Sequence, residues 1–193
     1  MKYGANYIVK TLKDDFNKEI ENKIKEVKYD LEESIIESPS GLTRRESKIG
    51  FLKNDNEFLQ KFISLANEIN KECEWDWEID AIEPLQYSEY TKGHEYDWHV
   101  DQHAKPYEDG RIRKMSFTYF INDTFSGGEF DIEIGHPNQD KDKRYNTIEA
   151  KKGHMVFFQS DLYHRVRPMI KGKRKSLVGW ILGPKFKWQK SQK

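Results

Sequence analysis

The sequence predicts a mainly β domain with N-terminal helices, an α+β chain in which the helices pack on one sheet. Three observations predict it. Two amphipathic helical stretches lie ahead of Cys73. From about residue 75 onward the chain breaks into short apolar runs divided by turn residues, the pattern of a β-sandwich or barrel. Its 193 residues are enough for one ordinary domain with a real core, and at 13% aromatic content that core is built from large rings.

The elements follow in order. Residues 5–12 read as a short strand. Residues 14–28 are rich in Asp, Glu and Lys, with Phe16, Ile20, Ile24 and Val27 at helical spacing. Ser38-Pro39-Ser40-Gly41 reads as a loop. Asn54-Asp55-Asn56 offers an N-cap to a second helix, whose apolar face is Phe58, Leu59, Phe62, Ile63, Leu65, Ala66 and Ile69. Strands are expected at 75–90, 94–101, 114–121, 128–134, 145–150, 154–159, 162–168 and 174–182. In Phe130-Asp131-Ile132-Glu133-Ile134 strict alternation separates apolar residues from carboxylates, and Gly127-Gly128 gives a tight entry to that strand. His136 to Asn146 reads as a polar connection. No internal repeat or linker interrupts the chain, which reads as a single domain: a helical N-terminal support region over 1–74, a β core over 75–184 and a basic tail over 185–193.

Bulk chemistry narrows the classes, weakening some and excluding others. Lys plus Arg and Asp plus Glu are both 33, so net charge gives no pull toward nucleic acid or an anionic membrane. The single cysteine, Cys73, excludes an internal disulfide framework and reads as a small buried hydrophobe. No apolar run approaches the ~20 residues of a membrane span, and the N-terminus has no signal-peptide pattern. The expectation is a cytoplasmic protein of a reducing compartment.

The string that carries chemistry is Tyr96-Asp97-Trp98-His99-Val100-Asp101. On a strand, residues 99 and 101 share a face about 6–7 Å apart, so an imidazole and a carboxylate can converge on one metal ion. His103 shares that face but sits roughly 13 Å from residue 99, too far for the same ion. A third ligand is expected from elsewhere, and His164 follows the very apolar strand ending at Phe158. Two histidines and one carboxylate on one side of an ion leave three positions open, the arrangement of non-haem iron oxygenases. Alone, His-x-Asp is weak evidence, more often explained by chance or a structural role than by ligation. The downstream pair sharpens it. Arg174 and Ser176 project to one face of a strand, where a guanidinium fork and a hydroxyl can hold a carboxylate. A dicarboxylic co-substrate chelating iron at one end needs such an anchor at the other; the competing reading of Arg174 is one more solvated cation in KGKRK.

Over residues 85 to 183 the chain resembles the 2-oxoglutarate and iron(II) dioxygenases of the prolyl 4-hydroxylase and PKHD-type hydroxylase group. The ordered pattern is Tyr90, Gly93, Tyr96, His99, Asp101, then Ser116 to Asn122, Gly127-Gly128-Glu129, Gly153 with the strand to Phe158, and His164, Arg174, Ser176 and Trp180. The resemblance implies a double-stranded β-helix (jelly roll) core, with His99 and Asp101 on one strand and His164 on a later one. It implies metal ligation by His99, Asp101 and His164, with Arg174 on the distal carboxylate of 2-oxoglutarate and Ser176 and Tyr90 assisting. Where some prolyl hydroxylases carry a further co-substrate tyrosine, this chain has Phe120, with Tyr119 beside it. Arg113 and Trp180 are similar to positions that border a peptide substrate. The implied cofactors are Fe(II), 2-oxoglutarate and O2, with room for ascorbate as accessory reductant. The implied reaction yields succinate and carbon dioxide and places a hydroxyl on an unactivated carbon.

The leading expectation for the substrate is a proline in a protein or peptide. The alternative is another side chain or a free small molecule, because substrate choice lives in loops rather than in the fold. Nucleic acid is a weaker expectation. Two further readings are a catalytically silent jelly-roll binding module and a cupin-like zinc or manganese enzyme. Trp75, Trp77 and Trp98 read as packing residues, and His94, His103, His136 and His154 as surface or outer residues, with His154 the one to check against the site. Residues 102–112 follow the metal motif directly and read as a substrate-covering lid or a plain surface loop.

Overall fold

The computed structural model describes residues 5–27, 31–37, 44–135, 140 and 144–186. The expected loop at Ser38–Gly41, His136, the middle of the 136–146 connection and the tail from 187 lie outside the described residues.

Strand β1 (Tyr7–Thr11) leads into helix α1 (Asp14–Val27), whose first turn carries Asp14 and Asp15 and whose last turn carries Lys25, signs that suit the helix dipole. Strands β2 (Glu32–Glu37) and β3 (Arg44–Phe51) precede helix α2 (Asn56–Glu72). Asp55 caps α2: its side chain accepts from the Phe58 backbone N–H at 3.1 Å and Lys23 of α1 pairs with it at 2.7 Å. Phe58, Phe62, Ala66 and Ile69 recur every three or four residues and form the buried stripe of α2. The remaining strands are β4 (Ala81–Ile82), β5 (Gln86–Tyr90), β6 (Tyr96–His99), β7 (Arg111–Phe120), β8 (Ser126–Gly127), β9 (Phe130–Glu133), β10 (Tyr145–Ile148), β11 (His154–Gln159), β12 (His164–Val166), β13 (Met169–Lys171) and β14 (Arg174–Pro184).

Twelve of these strands form one curled antiparallel sheet in the order β1-β11-β7-β14-β5-β3-β6-β12-β9-β10, with β2 beside β3 and β4 beside β14; β13 pairs with β8. The curl brings β6-β12-β9-β10 over the face of β11-β7-β14-β5, the double-stranded β-helix. Alternation along β7 and β11 divides the core in two. Met115, Phe117, Tyr119, Met155 and Phe157 face the helices. Phe120, Val156 and Phe158 face inward, with Phe130 and Ile132 of β9 opposite. Phe62 lies flat on Phe117, with ring centres 5.2 Å apart and planes 5° from parallel. The expected packing of both helices on one sheet is thus what the rings build.

Two differences matter for the site. The 1–74 segment contributes β2 and β3 to the main sheet, where only one strand was expected. The strand expected over 94–101 ends at His99, so His99 and Asp101 do not share a strand; Asp101 lies in the bend just beyond, where its backbone N–H donates to the Ser160 carbonyl at 3.0 Å. Among the described residues, no helix is long and apolar enough to cross a membrane.

Candidate active site

The inner face of the curled sheet encloses a cavity of about 390 Å³. Two groups sit in its wall: His99, Asp101 and His164 on the β6/β12 side, and Arg174 with Ser176 on β14.

His99 and His164 are directly opposed, because β12 pairs with β6 in the register His164↔His99. Each ring is oriented by its own chain. The Nδ1 of His99 lies 2.7 Å from the Asp97 carbonyl, and that of His164 lies 2.9 Å from the Leu162 carbonyl. A carbonyl only accepts, so each Nδ1 carries a proton, and Nε2 is the ring atom turned toward a metal. Both Nε2 atoms face Asp101, at 3.9 Å from its Oδ1 for His99 and 3.5 Å from its Oδ2 for His164. The three ligand atoms lie within 4.8 Å of one another. Burial pushes the His99 ring down to a pKa of about 3, with His164 adding to the effect, so the imidazole is neutral at ordinary pH. Burial alone raises the Asp101 carboxyl, but His164, His99, the Ser116 hydroxyl and Arg113 outweigh it and hold the group below its usual range. The His99 and His164 Nε2 atoms and the Asp101 carboxylate together form a donor set suited to a divalent ion.

Arg174 is 1% exposed, the largest fully buried side chain among the described residues. Its Nη1 donates to the Ser176 hydroxyl at 3.0 Å, while Nε and Nη2 are buried without a hydrogen-bond partner. No carboxylate among the described residues lies within ion-pair distance of it. The Tyr90 and Phe120 rings flank the guanidinium at 5.5 and 5.4 Å. Burial lowers its pKa to about 10, which still leaves it a cation. Gly128 keeps room for its stem: φ is 67°, and a Cβ there would collide with the Met169 sulfur and reach the Arg174 Cδ at 3.2 Å. A buried cation with two unused donors is costly unless an anion completes it. The residues therefore fit a bound divalent metal together with a carboxylate ligand held by Arg174.

The other expected residues fall around this pair. Tyr90 lies opposite Arg174 across the β5/β14 ladder. Arg113 and Trp180 line the cavity together, with the guanidinium 4.1 Å over the indole. Arg113 also holds Glu83 through Nε and Nη2, both at 2.6 Å. Tyr119 points away from the cavity and donates to Asn17 of α1 at 3.0 Å. His103 lies in the cavity wall but outside the three-residue ligand cluster. His154 sits 3.3 Å from the Thr11 hydroxyl, away from the cavity. Trp98 packs outside the cavity under Arg165, whose guanidinium lies 4.6 Å from its ring. Sequence reasoning missed Arg45 and Ile36, which join the wall from β3 and β2. Tyr96, singled out only as part of the pattern, stacks on His99 with ring centres 3.4 Å apart.

Comparison with known proteins places these features in a family. Residues 85–182 match the sequence model of the 2OG-Fe(II) oxygenase superfamily, and the chain belongs to it. A PKHD-type hydroxylase of Synechococcus sp. (strain CC9605) is 30% identical over 105 residues, covering 53% of this chain and 43% of that protein. One of Hyphomonas neptunium is 32% identical over 93 residues, 47% of this chain and 38% of that one. The chain thus spans less than half the length of these relatives. A crystal structure of a Pseudomonas putida prolyl-4-hydroxylase superposes with a TM-score of 0.66 at 18% identity, covering 91% of each chain. A Trichoplax adhaerens prolyl hydroxylase in complex with a hypoxia-inducible-factor peptide fragment gives 0.64 at 18% identity over 91% of this chain and 83% of that one. These similarities establish the jelly-roll fold.

Proposed function

We propose that the protein is an iron(II)- and 2-oxoglutarate-dependent dioxygenase that hydroxylates an unactivated C–H bond, with proline in a protein or peptide as the leading substrate. The observation that carries it is Arg174, a buried cation with two unused donors in the same cavity as the His99, Asp101 and His164 donors. A structural ion pair would have supplied a carboxylate from the chain; this site leaves that role to a ligand. Proline is favoured by the prolyl hydroxylase neighbours, and hydroxylation by the PKHD-type hydroxylase relatives.

His99, Asp101 and His164 would hold the metal, and Arg174 with Ser176 the distal carboxylate of the co-substrate. When bound, iron(II), 2-oxoglutarate and dioxygen supply oxidative decarboxylation to succinate and carbon dioxide with transfer of one oxygen atom to substrate carbon. The chain supplies position and dryness. The Nδ1 donors to Asp97 and Leu162 fix both imidazoles without spending a side chain. Phe130 and Phe158 pack against His164 at 5.7 and 4.7 Å and keep water from that side. Arg113 and Trp180 would border the substrate, with Glu83 holding the Arg113 fork in place.

The test is succinate formation from 2-oxoglutarate by protein supplied with iron(II) and ascorbate, with proline-containing peptides, other peptides and free amino acids as separate additions. Peptide-stimulated succinate with a gain of one oxygen on proline is the expected result. Stimulation by free amino acids alone moves the substrate to the small-molecule class. No succinate, combined with no metal uptake, overturns the enzyme reading in favour of a binding module.

A further inference from the structure

The cavity contains a second buried guanidinium that neither the metal ligands nor the co-substrate anchor uses. Arg45 is 7% exposed and lines the same cavity as His99 and Arg174. It comes from β3, outside the residues 85–182 that define the family match. Its Nε donates to the Ser47 hydroxyl at 3.1 Å. Its guanidinium carbon lies 4.9 Å from the centre of the Tyr96 ring, the same ring that stacks on His99. Arg45 is thus separated from a proposed metal ligand by one aromatic ring.

Charge accounting isolates it. Three arginines line the cavity. The charge of Arg113 is matched by Glu83. Arg174 would take the distal carboxylate of 2-oxoglutarate, and the co-substrate's other end would lie at the metal ligands. No carboxylate among the described residues lies within ion-pair distance of Arg45, and the adjacent acid on its own strand, Glu46, is engaged with Arg44 at 2.7 Å. Arg45 and Ser47 are both buried and lie two apart on one strand face. Ser88 and Gln86 of β5 continue that polar face, hydrogen-bonded to each other at 2.9 Å. A buried cation at a polar wall calls for an anion, and both carboxyl groups of the co-substrate already have a place.

We propose that Arg45 is a specificity-determining residue that binds a carboxylate carried by the molecule to be hydroxylated. The substrate class is therefore an acid: a free carboxylic or amino acid, or a peptide presenting an acidic side chain next to the reacting residue. The inference rests on the dioxygenase reading and narrows it.

Matched acid and amide probes test it on the protein loaded with iron(II) and 2-oxoglutarate. One pair is L-proline and L-prolinamide. The other is a proline peptide blocked at both ends with Asp or Asn following the proline. Anaerobic calorimetry reads binding, and succinate release in air reads turnover. The acid of one pair is expected to bind about ten-fold or more tightly than its amide, since the amide leaves a buried charge unpaired. Which pair shows the preference identifies the source of the carboxylate. Arg45→Gln should bring acid and amide together, Arg45→Lys should retain part of the preference, and the effect should fall on the substrate's constants rather than on those of 2-oxoglutarate. Equal or absent binding of acid and amide in both pairs overturns the proposal, as does a preference that survives Arg45→Gln. Weakened 2-oxoglutarate binding in Arg45→Lys overturns it too, by making Arg45 a second co-substrate anchor. If Arg45→Gln does not fold, the acid preference of the unaltered protein and its change in Arg45→Lys decide the matter. Failure of the underlying reading looks different: the unaltered protein neither binds 2-oxoglutarate nor releases succinate.

Discussion

Arg174 offers its proposed ligand a fork of two free donors, and that shape is testable at the level of one residue. Lysine keeps the charge but offers a single point donor on a flexible stem, and it loses the bond to Ser176 that fixes the guanidinium plane. Arg174→Lys is therefore expected to raise the apparent KM for 2-oxoglutarate by about ten-fold or more, the scale of one lost charge-assisted bond in a dry site. An unchanged KM would place the anchor elsewhere. The Asp101 carboxylate is the only anionic group of the proposed metal set, so Asp101→Ala leaves two neutral donors. Equilibrium dialysis against iron(II) or manganese(II) should show tight binding abolished in Asp101→Ala and restored in part by Asp101→Glu. Full activity with the alanine variant would refute the site.

Helix α2 owes its start to one carboxylate, and here stability acquires a pH dependence with a definite sign. The Lys23 ammonium and the Phe58 backbone N–H hold the Asp55 carboxyl below its ordinary value. Because its folded pKa lies below the unfolded one, the folded state binds fewer protons. The stabilisation is complete above the unfolded carboxylate pKa of about 3.8 and is lost as pH falls through the lower folded value. Asp55→Asn, still able to cap, should flatten that part of the acid limb in denaturant melts, whereas Asp55→Ala should lower the midpoint at neutral pH as well. Elements of this kind were legible in the sequence, because α1, α2 and β9 each carry an apolar period that differs from their polar face. Strands β2 and β3 were not. The buried face of β3 carries Arg45, which lines the cavity, and Ser47, which accepts its hydrogen bond, instead of apolar side chains, so the alternation that reveals a strand carries no hydrophobic signal there. The same polarity hid Arg45. The His99/Asp101 spacing and the Arg174/Ser176 pair could be read directly, since chemistry rather than packing fixes both. Their meeting with His164 depended on a long-range register that no local pattern encodes.

At the scale of the whole molecule, the two faces of β7 and β11 do separate jobs, and the division predicts how a core lesion propagates. Phe62 of α2 is fully buried, stacks on Phe117 and touches Phe16 and Phe58 at 5.1 Å each. Phe117 belongs to the helix side of β7, whereas its neighbour Thr118 points into the cavity. Phe62→Ala removes a ring from a three-element junction that cannot collapse without moving both helices, and should cost about 3–5 kcal/mol in urea or guanidinium unfolding. Yet the strand backbone that aims Arg174 and Ser176 is fixed by ladders on either side of β14, to β7 and to β5. Those ladders do not pass through Phe62. At a temperature where the variant is still folded, its apparent KM for 2-oxoglutarate should match that of the unaltered protein while its unfolding midpoint drops. A parallel loss of co-substrate affinity would show instead that the helices set the curvature of the sheet, and that the anchor is positioned by the helical layer rather than by the strand ladders alone.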